Sequence, residues 1–209
     1  MDLWAAIVDE RTSILNTFEG LSAEQWEQPS LCGQWTIRQV LGHLVVAADP
    51  PTGGFVQALV KARGSFDKAN DAVARAEAEC STDELMARYR DRIRARKTPP
   101  GFGPKAPLSD VIVHSLDVRV PLGIASDRPV ERYEIALGLL LGTLGGRTFV
   151  PKGRPAVRWV ATDHAWAHGS GDEVHGAMVD LTLAASGRGA RVDALRGPGV
   201  AALASWLSR

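Results

Sequence analysis

Five histidines occur in the 209-residue chain, and two of them sit where an imidazole is hardest to accommodate. His43 lies within QVLGHLVVAA and His114 within LSDVIVHSLDVR, both apolar stretches with the spacing of buried helices. Burying an imidazole without hydrogen-bond partners or a metal ion costs about 1–3 kcal/mol. Asp110 precedes His114 by one helical turn, so carboxylate and imidazole project from the same face. A pair spaced in this way can grip one ion, and a third donor from a facing helix would complete the set. His43 is the candidate for that donor. Two histidines and a carboxylate leave at least one position open to water or substrate, as in catalytic rather than closed structural sites. Zn²⁺ suits these donors, and Ni²⁺ or Fe²⁺ also accept two imidazoles and a carboxylate. The competing reading is that a histidine on an apolar helix is a satisfied core residue, because Asp-x-x-x-His arises often by chance.

The neighbours carry two readings each. Asp117, three residues beyond His114, could orient that imidazole or pair with a nearby arginine. Arg119 could bind a substrate carboxylate or merely complement a helix end. Cys32 lies in a loop with no base adjacent in sequence, so a structural role is expected. Trp26 and Trp35 read as core or staple residues. His164, His168 and His175 are separated by Gly-rich turns, and no second metal site is expected among them.

The elements that must position these groups are mostly helical. Leu3, Ile7, Ile14, Leu15 and Phe18 share one face of a helix of about four turns. Ser22-Ala-Glu-Gln25 is a capping box, and Pro29, Cys32 and Gly33 mark a loop. A second long helix starts near Thr36, carries His43, and stops at Pro50-Pro51. Helix is expected again beyond Gly54 to about Ala78, and from Ser81 to Lys97. TPPGFGPKAP (98–107) reads as loop, LSDVIVHSLDVRV as helix, and Val130 to about Leu144 as a further apolar helix. Helix following helix implies a bundle.

Past Gly145-Gly146 the character changes. VRWVAT (157–162) is β-branched and aromatic, and a short strand is expected between Trp166 and Val174. EVHGAMVDLTLAAS then reads as helix, ARVDAL as strand, and GVAALASWLSR as a terminal helix. The resulting expectation is an α+β protein: a helical bundle over 1–148, followed by a small α/β domain over 149–209.

Composition restricts the partners. The 24 basic residues balance the 24 acidic ones, so no electrostatic argument favours nucleic acid or an anionic membrane. The basic run Arg88–Lys97 has Met86, Tyr89 and Ile93 at helical spacing, the pattern of a solvated amphipathic face. The two cysteines form no Cys-x-x-Cys pair. The N-terminus lacks a signal-peptide pattern, no apolar run approaches bilayer length, and a cytoplasmic address is expected.

The run LSAEQWEQPSLCGQWTIRQVLGHLVVA, followed at a distance by LSDVIVHSLDVRVPLG, resembles the mycothiol-dependent maleylpyruvate isomerase family, part of a wider DinB-like metalloenzyme group. WVATDHAWAHGSG, EVHGAMVDLTLAASGR and LRGPGVAALASWL resemble that family's small sterol-carrier-like C-terminal domain. The resemblance implies a DinB-like four-helix bundle with a divalent metal in its core. The family's first metal histidine falls on His43, and its carboxylate-x-x-x-His pair on Asp110 and His114. Asp110 is one methylene shorter than the Glu of the characterised isomerase, which bears on where the ion sits.

The implied cosubstrates are mycothiol, a low-molecular-weight thiol, and a small electrophile. A metal lowers the pKa of a coordinated thiol and polarises carbonyl or enolate oxygens. A thiolate that adds to a cis double bond, permits rotation and leaves again makes an isomerase. Joined permanently to an electrophile, it makes an S-transferase. The alternative from another class is a non-catalytic module holding a metal or small ligand, with the tail docking a hydrophobic molecule or partner.

Overall fold

In Leu3–Glu19 (α1), Asp2 caps the first turn by accepting from the Trp4 and Ala5 amides, and Ile7, Ile14, Leu15 and Phe18 are buried along one face. The computed structural model describes residues 1–49, 57, 60–63, 65–99 and 101–208. Ser22 and Gln25 close both halves of the capping box that starts the short helix Ala23–Trp26 (α2). Trp26 stacks on Phe18 with centroids 5.2 Å apart and is buried, the core placement that was one of its two expected roles. Thr36 caps Ile37–Ala48 (α3) with a second box closed by Gln39.

Phe66–Glu77 (α4) follows, with Ser65 as its cap. The unbroken helix expected from beyond Gly54 is interrupted: a turn at 62–63, where Arg63 takes φ +53, precedes the Ser65 cap, and part of the earlier segment lies outside the described residues. Ser81 caps Thr82–Arg92 (α5), which ends at Ile93, short of the expected Lys97. Arg11 donates from α1 to the carbonyls of Arg92, Ile93 and Ala95, satisfying the orphan groups where that helix stops.

Lys105–Arg119 (α6) is buried on nearly every side. It begins inside the segment expected to be loop. Pro104 occupies its N-cap and Pro107 its first turn, where a missing N–H leaves no intrahelical bond unmade. Its buried polar side chains find partners: Ser109 and Ser115 donate to the carbonyls one turn back, at 2.8 and 2.6 Å. Helices α1, α3, α5 and α6 form a four-helix bundle in which α3 touches α5 and α6, α1 touches the same two, and α4 packs along α3.

Two compact units emerge, Met1–Ser126 and Asp127–Arg209. The division falls ahead of the boundary expected after residue 148. The reason is that Val130–Leu141 (α7) packs on the tail's own helix Met178–Ala185 (α9). The expected helix through Leu144 breaks at Gly142, and Thr143–Phe149 (α8) starts afresh. A three-stranded sheet follows, in the order Ala167–His168 (β2), Arg158–Ala161 (β1), Glu173–Gly176 (β3). β2 is antiparallel to β1, with Trp159 opposite His168; β3 is parallel to it, with Trp159 opposite Val174.

Part of the expected EVHGAMVDLTLAAS helix is therefore strand. Helix starts only at Met178, whose amide donates to Asp163 Oδ1 at 2.9 Å. ARVDAL makes a 3₁₀ turn at Val192–Ala194 and no strand, although Arg196 bridges to His175 just beyond it. Val200–Leu207 (α10) ends the chain as a helix. Among the described residues, ten α-helices and one small sheet make an α+β fold, and no helix is long and apolar enough to cross a membrane.

Candidate metal centre

His43 sits midway along α3 and His114 on the facing α6, and both are buried. Asp110 lies one turn before His114 on the same helix, and its side chain is 32% accessible against 9% and 11% for the two histidines. Its Oδ1 stands 3.1 Å from His43 Nε2 and 3.6 Å from His114 Nε2. The ring centroids lie 4.4 Å apart, nearly edge to face. One ligand atom from each of the three residues lies within 4.8 Å of the other two. The three candidate donors named from the sequence are thus brought to one point.

The far nitrogens explain the aim of the rings. His43 Nδ1 is 3.1 Å from Asn70 Oδ1 on α4, and an amide oxygen only accepts, so Nδ1 carries the proton. His114 Nδ1 is 2.9 Å from Asp117 Oδ2 and donates to it in the same way. Both rings turn Nε2 toward Asp110; with Nδ1 holding its own proton, Nε2 is the nitrogen left to donate to that carboxylate or, once deprotonated, to ligate an ion. Orienting the imidazole, one of the two readings of Asp117, is seen in this contact. Asn70 carries no sequence signal of its own. The one clue was its place on a helix that had to pack against α3.

The electrostatics follow from the same contacts. Burial disfavours charge on His43, but the carboxylate of Asp110 and its hydrogen bond outweigh this, aided by Asn70 and Asp117, and raise the pKa above its ordinary 6.5. Burial would raise the pKa of Asp110. The charge and hydrogen bond of His43, then His114 and Arg11, overcome that and hold it at about 2. Beside that carboxylate a proton on His43 Nε2 is favoured, at the position an ion would take.

Trp35 covers both rings, 5.3 Å from His43 and 6.1 Å from His114 between centroids. It belongs to the core, one of the two roles expected of it, and also walls the site. Its indole Nε1 donates to Asp71 Oδ1 at 2.7 Å. The loop before it is held by Ser30, whose amide and hydroxyl both donate to the Trp35 carbonyl, and by the Leu31 amide donating to the Asp117 carbonyl. Gly33 takes φ +56 there, a left-handed turn open to glycine at no steric cost.

Cys32 departs from expectation in one respect. The loop places its thiol with His114 and Asp117, their ligand atoms within 4.8 Å of one another, so an imidazole and a carboxylate do lie beside it. Sequence adjacency could not reveal this, because the contact spans two distant segments. Arg119 does not reach the donors: it is buried and braces α6 to α1 by donating to the Ser13 carbonyl and hydroxyl and the Thr17 hydroxyl.

The other histidines stay apart. His164 contacts Glu134 at 3.3 Å, His175 contacts Glu173 at 2.8 Å, and His168 stacks on Trp166. No three-donor group forms among the described residues of the second unit.

A helical bundle with two inward histidines converging on one carboxylate, joined in sequence to a small α/β unit, defines the class of this protein. Residues 7–131 match the family model described as the mycothiol maleylpyruvate isomerase N-terminal domain, and the chain belongs to that family. The fold is similar to two crystal structures of a mycothiol-dependent maleylpyruvate isomerase, one of them a histidine-to-alanine variant. The variant gives a TM-score of 0.64 at 13% identity, covering 94% of this chain and 92% of that one. The unaltered enzyme gives 0.63 at 14%, with the same coverage. No curated protein sequence matches the chain.

Proposed function

We propose that this protein is a cytoplasmic, metal-dependent enzyme of thiol addition chemistry, using mycothiol and a small electrophile, as isomerase or S-transferase. His43, Asp110 and His114 hold the divalent ion in this reading, zinc being the best suited, with nickel or iron as alternatives. The observation that carries it is the convergence of two imidazole Nε2 atoms on one carboxylate oxygen, with both Nδ1 atoms committed elsewhere. A merely satisfied core histidine needs no partner at both nitrogens aimed in this way.

The donor set fits the ion chemically. Two neutral imidazoles and one ionised carboxylate are the protonation states that metal binding requires, and the Asp110 carboxyl is ionised at any pH well above 2. When bound, the metal would make a thiol acidic enough to be thiolate near neutral pH and would polarise an oxygen of the electrophile.

The chain's own residues do the rest. Asn70 and Asp117 hold the Nδ1 protons in place, so the proton that an entering ion must displace from His43 is the one on Nε2, beside Asp110. Trp35 shields the two rings from water on one side. Asp110 is partly accessible to solvent, which favours a site with a free coordination position over a closed structural one. The name of the solved relatives supports mycothiol and a maleylpyruvate-type isomerisation, and the family model supports the same class.

Elemental analysis of protein purified without chelator or added metal, beside His114→Ala, tests the reading. Near-stoichiometric metal that disappears in the variant, together with loss of thiol-dependent turnover, is the expected result. A fully active, metal-free variant would sink it. Metal fully coordinated by protein, with no exchangeable water and no turnover, would favour a binding module instead.

A further inference from the structure

Resting on the metal-binding reading above, we infer that Asn70 is a positioning residue for the centre. Although it is not one of the three donors, it sets which nitrogen of His43 is offered to the ion, and α4 is the element that delivers it. The two imidazoles are held differently. The anchor of His114 is Asp117, three residues on in the same helix, so that contact is local and survives small movements between helices. The anchor of His43 is Asn70, 27 positions away on a separate helix. A neutral imidazole can carry its proton on either nitrogen. With no acceptor at Nδ1, the proton is free to occupy Nε2, where Asp110 would accept it and compete with the ion.

Helix α4 is clamped to deliver this contact. Gly42, one residue before His43, lies so close to α4 that a Cβ placed on it would sit 2.4 Å from the Ala74 carbonyl oxygen and 3.1 Å from Ala78 Cβ. That close approach carries Asn70, one turn before Ala74, to the imidazole. The residue after Asn70 serves the same site: Asp71 accepts from the Trp35 indole at 2.7 Å and from Arg75 at 2.8 Å, and Arg75 reaches the Gln34 carbonyl at 3.3 Å. Adjacent residues of α4 thus fix one donor ring and the aromatic wall over both rings.

The choice of amide over carboxylate follows a charge argument. Asp110 and Asp117 already place two carboxylates around the centre, with the Arg11 guanidinium acting on Asp110. A neutral acceptor at position 70 orients His43 and adds no further charge.

The test compares wild type, Asn70→Leu and Asn70→Asp, each purified metal-free and checked for helix content. Each is titrated with Co²⁺ against a competing chelator while its absorption spectrum is recorded. Asn70→Leu removes the acceptor at similar size and is expected to bind Co²⁺ about 10–100-fold more weakly, with an altered spectrum. Asn70→Asp restores an acceptor and is expected to recover wild-type affinity or better, with a wild-type spectrum.

In zinc-loaded wild type, nitrogen-resolved NMR is expected to place the His43 proton on Nδ1. This readout holds even if Asn70→Leu fails to fold. A folded Asn70→Leu with wild-type Co²⁺ affinity and spectrum overturns the inference, as does an Nε2 proton on His43. Equal losses in both folded variants overturn it too. If wild type takes up no Co²⁺, the metal reading fails and takes this one with it; if wild type binds normally and Asn70→Leu matches it, this inference alone fails.

Discussion

Substituting Gly42 by Ala tests whether the close packing of α3 on α4 supports the site. The added methyl group would lie 2.4 Å from the Ala74 carbonyl oxygen and 3.3 Å from the Ala78 amide nitrogen, both backbone atoms that cannot rotate away. Ordinary contact requires the helices to part by about 1 Å. Overpacking of this kind costs about 1–3 kcal/mol, and the obstruction by main chain places this site in the upper half of that range. Against it, Ala is about 1 kcal/mol better than Gly inside a helix. The net expectation is a loss of about 1–2 kcal/mol. Urea unfolding of the metal-free protein, followed by tryptophan fluorescence, measures it, because Trp26 and Trp35 both lie in the affected core. The same displacement withdraws Asn70 from His43, so Co²⁺ affinity is expected to fall in parallel. A Gly42→Ala protein of equal or greater stability, with unchanged affinity, would show that the interhelix contact absorbs a methyl group and that this account of α4 is wrong.

Two further outcomes follow from the same geometry. Asp117→Asn keeps the shape of the acceptor for His114 but removes its charge, and is expected to weaken metal binding about 10-fold or more, measured by chelator competition. Unchanged affinity would reduce Asp117 to a loop fastener. The second outcome concerns pH in the metal-free protein. His43, with its pKa raised above 6.5, contributes stability that is fully present below 6.5 and is lost as pH rises through the raised value. Asp110, lowered from 3.8 to about 2, contributes stability present above 3.8 and lost as pH falls through about 2. Thermal melts are therefore expected to show the pair's support between about pH 4 and 6.5, with the benefit of added metal growing above that window as the ion replaces the proton. A metal-induced stabilisation that is largest at acid pH would contradict this assignment.

Much of the centre was legible because its donors advertise themselves. A polar residue inside an apolar helix must have a reason to be there, and the fold brings His43, Asp110 and His114 together. The capping boxes at Ser22 and Thr36 were equally readable, since the chemistry of a helix start is confined to four consecutive residues. Asn70 was not readable: an asparagine on an amphipathic helix looks like solvated surface until the opposing helix is known. Gly42 was silent for the same reason. Elsewhere, Glu173–Gly176 reads as part of a helix because four residues sample too little of either period, and only pairing with Arg158–Ala161 decides for strand. Pro107 misled in the other direction, because a proline ends a helix interior yet fits comfortably in a first turn.

The separation of the donors along the chain also bears on the order in which the protein assembles. His43 and Asp110 stand 67 positions apart, and His114 lies further still. Helices α3 and α6 must already be docked before the three side chains can meet, and Asn70 adds α4 to that requirement. An ion would consequently be captured only by a nearly finished bundle. Its affinity would then be spent almost wholly on lengthening the lifetime of the native state, slowing escape from it while leaving the rate of arrival unchanged. In such a chain an ion bound there would act as a latch on completed work, and not as a nucleus around which the fold collects.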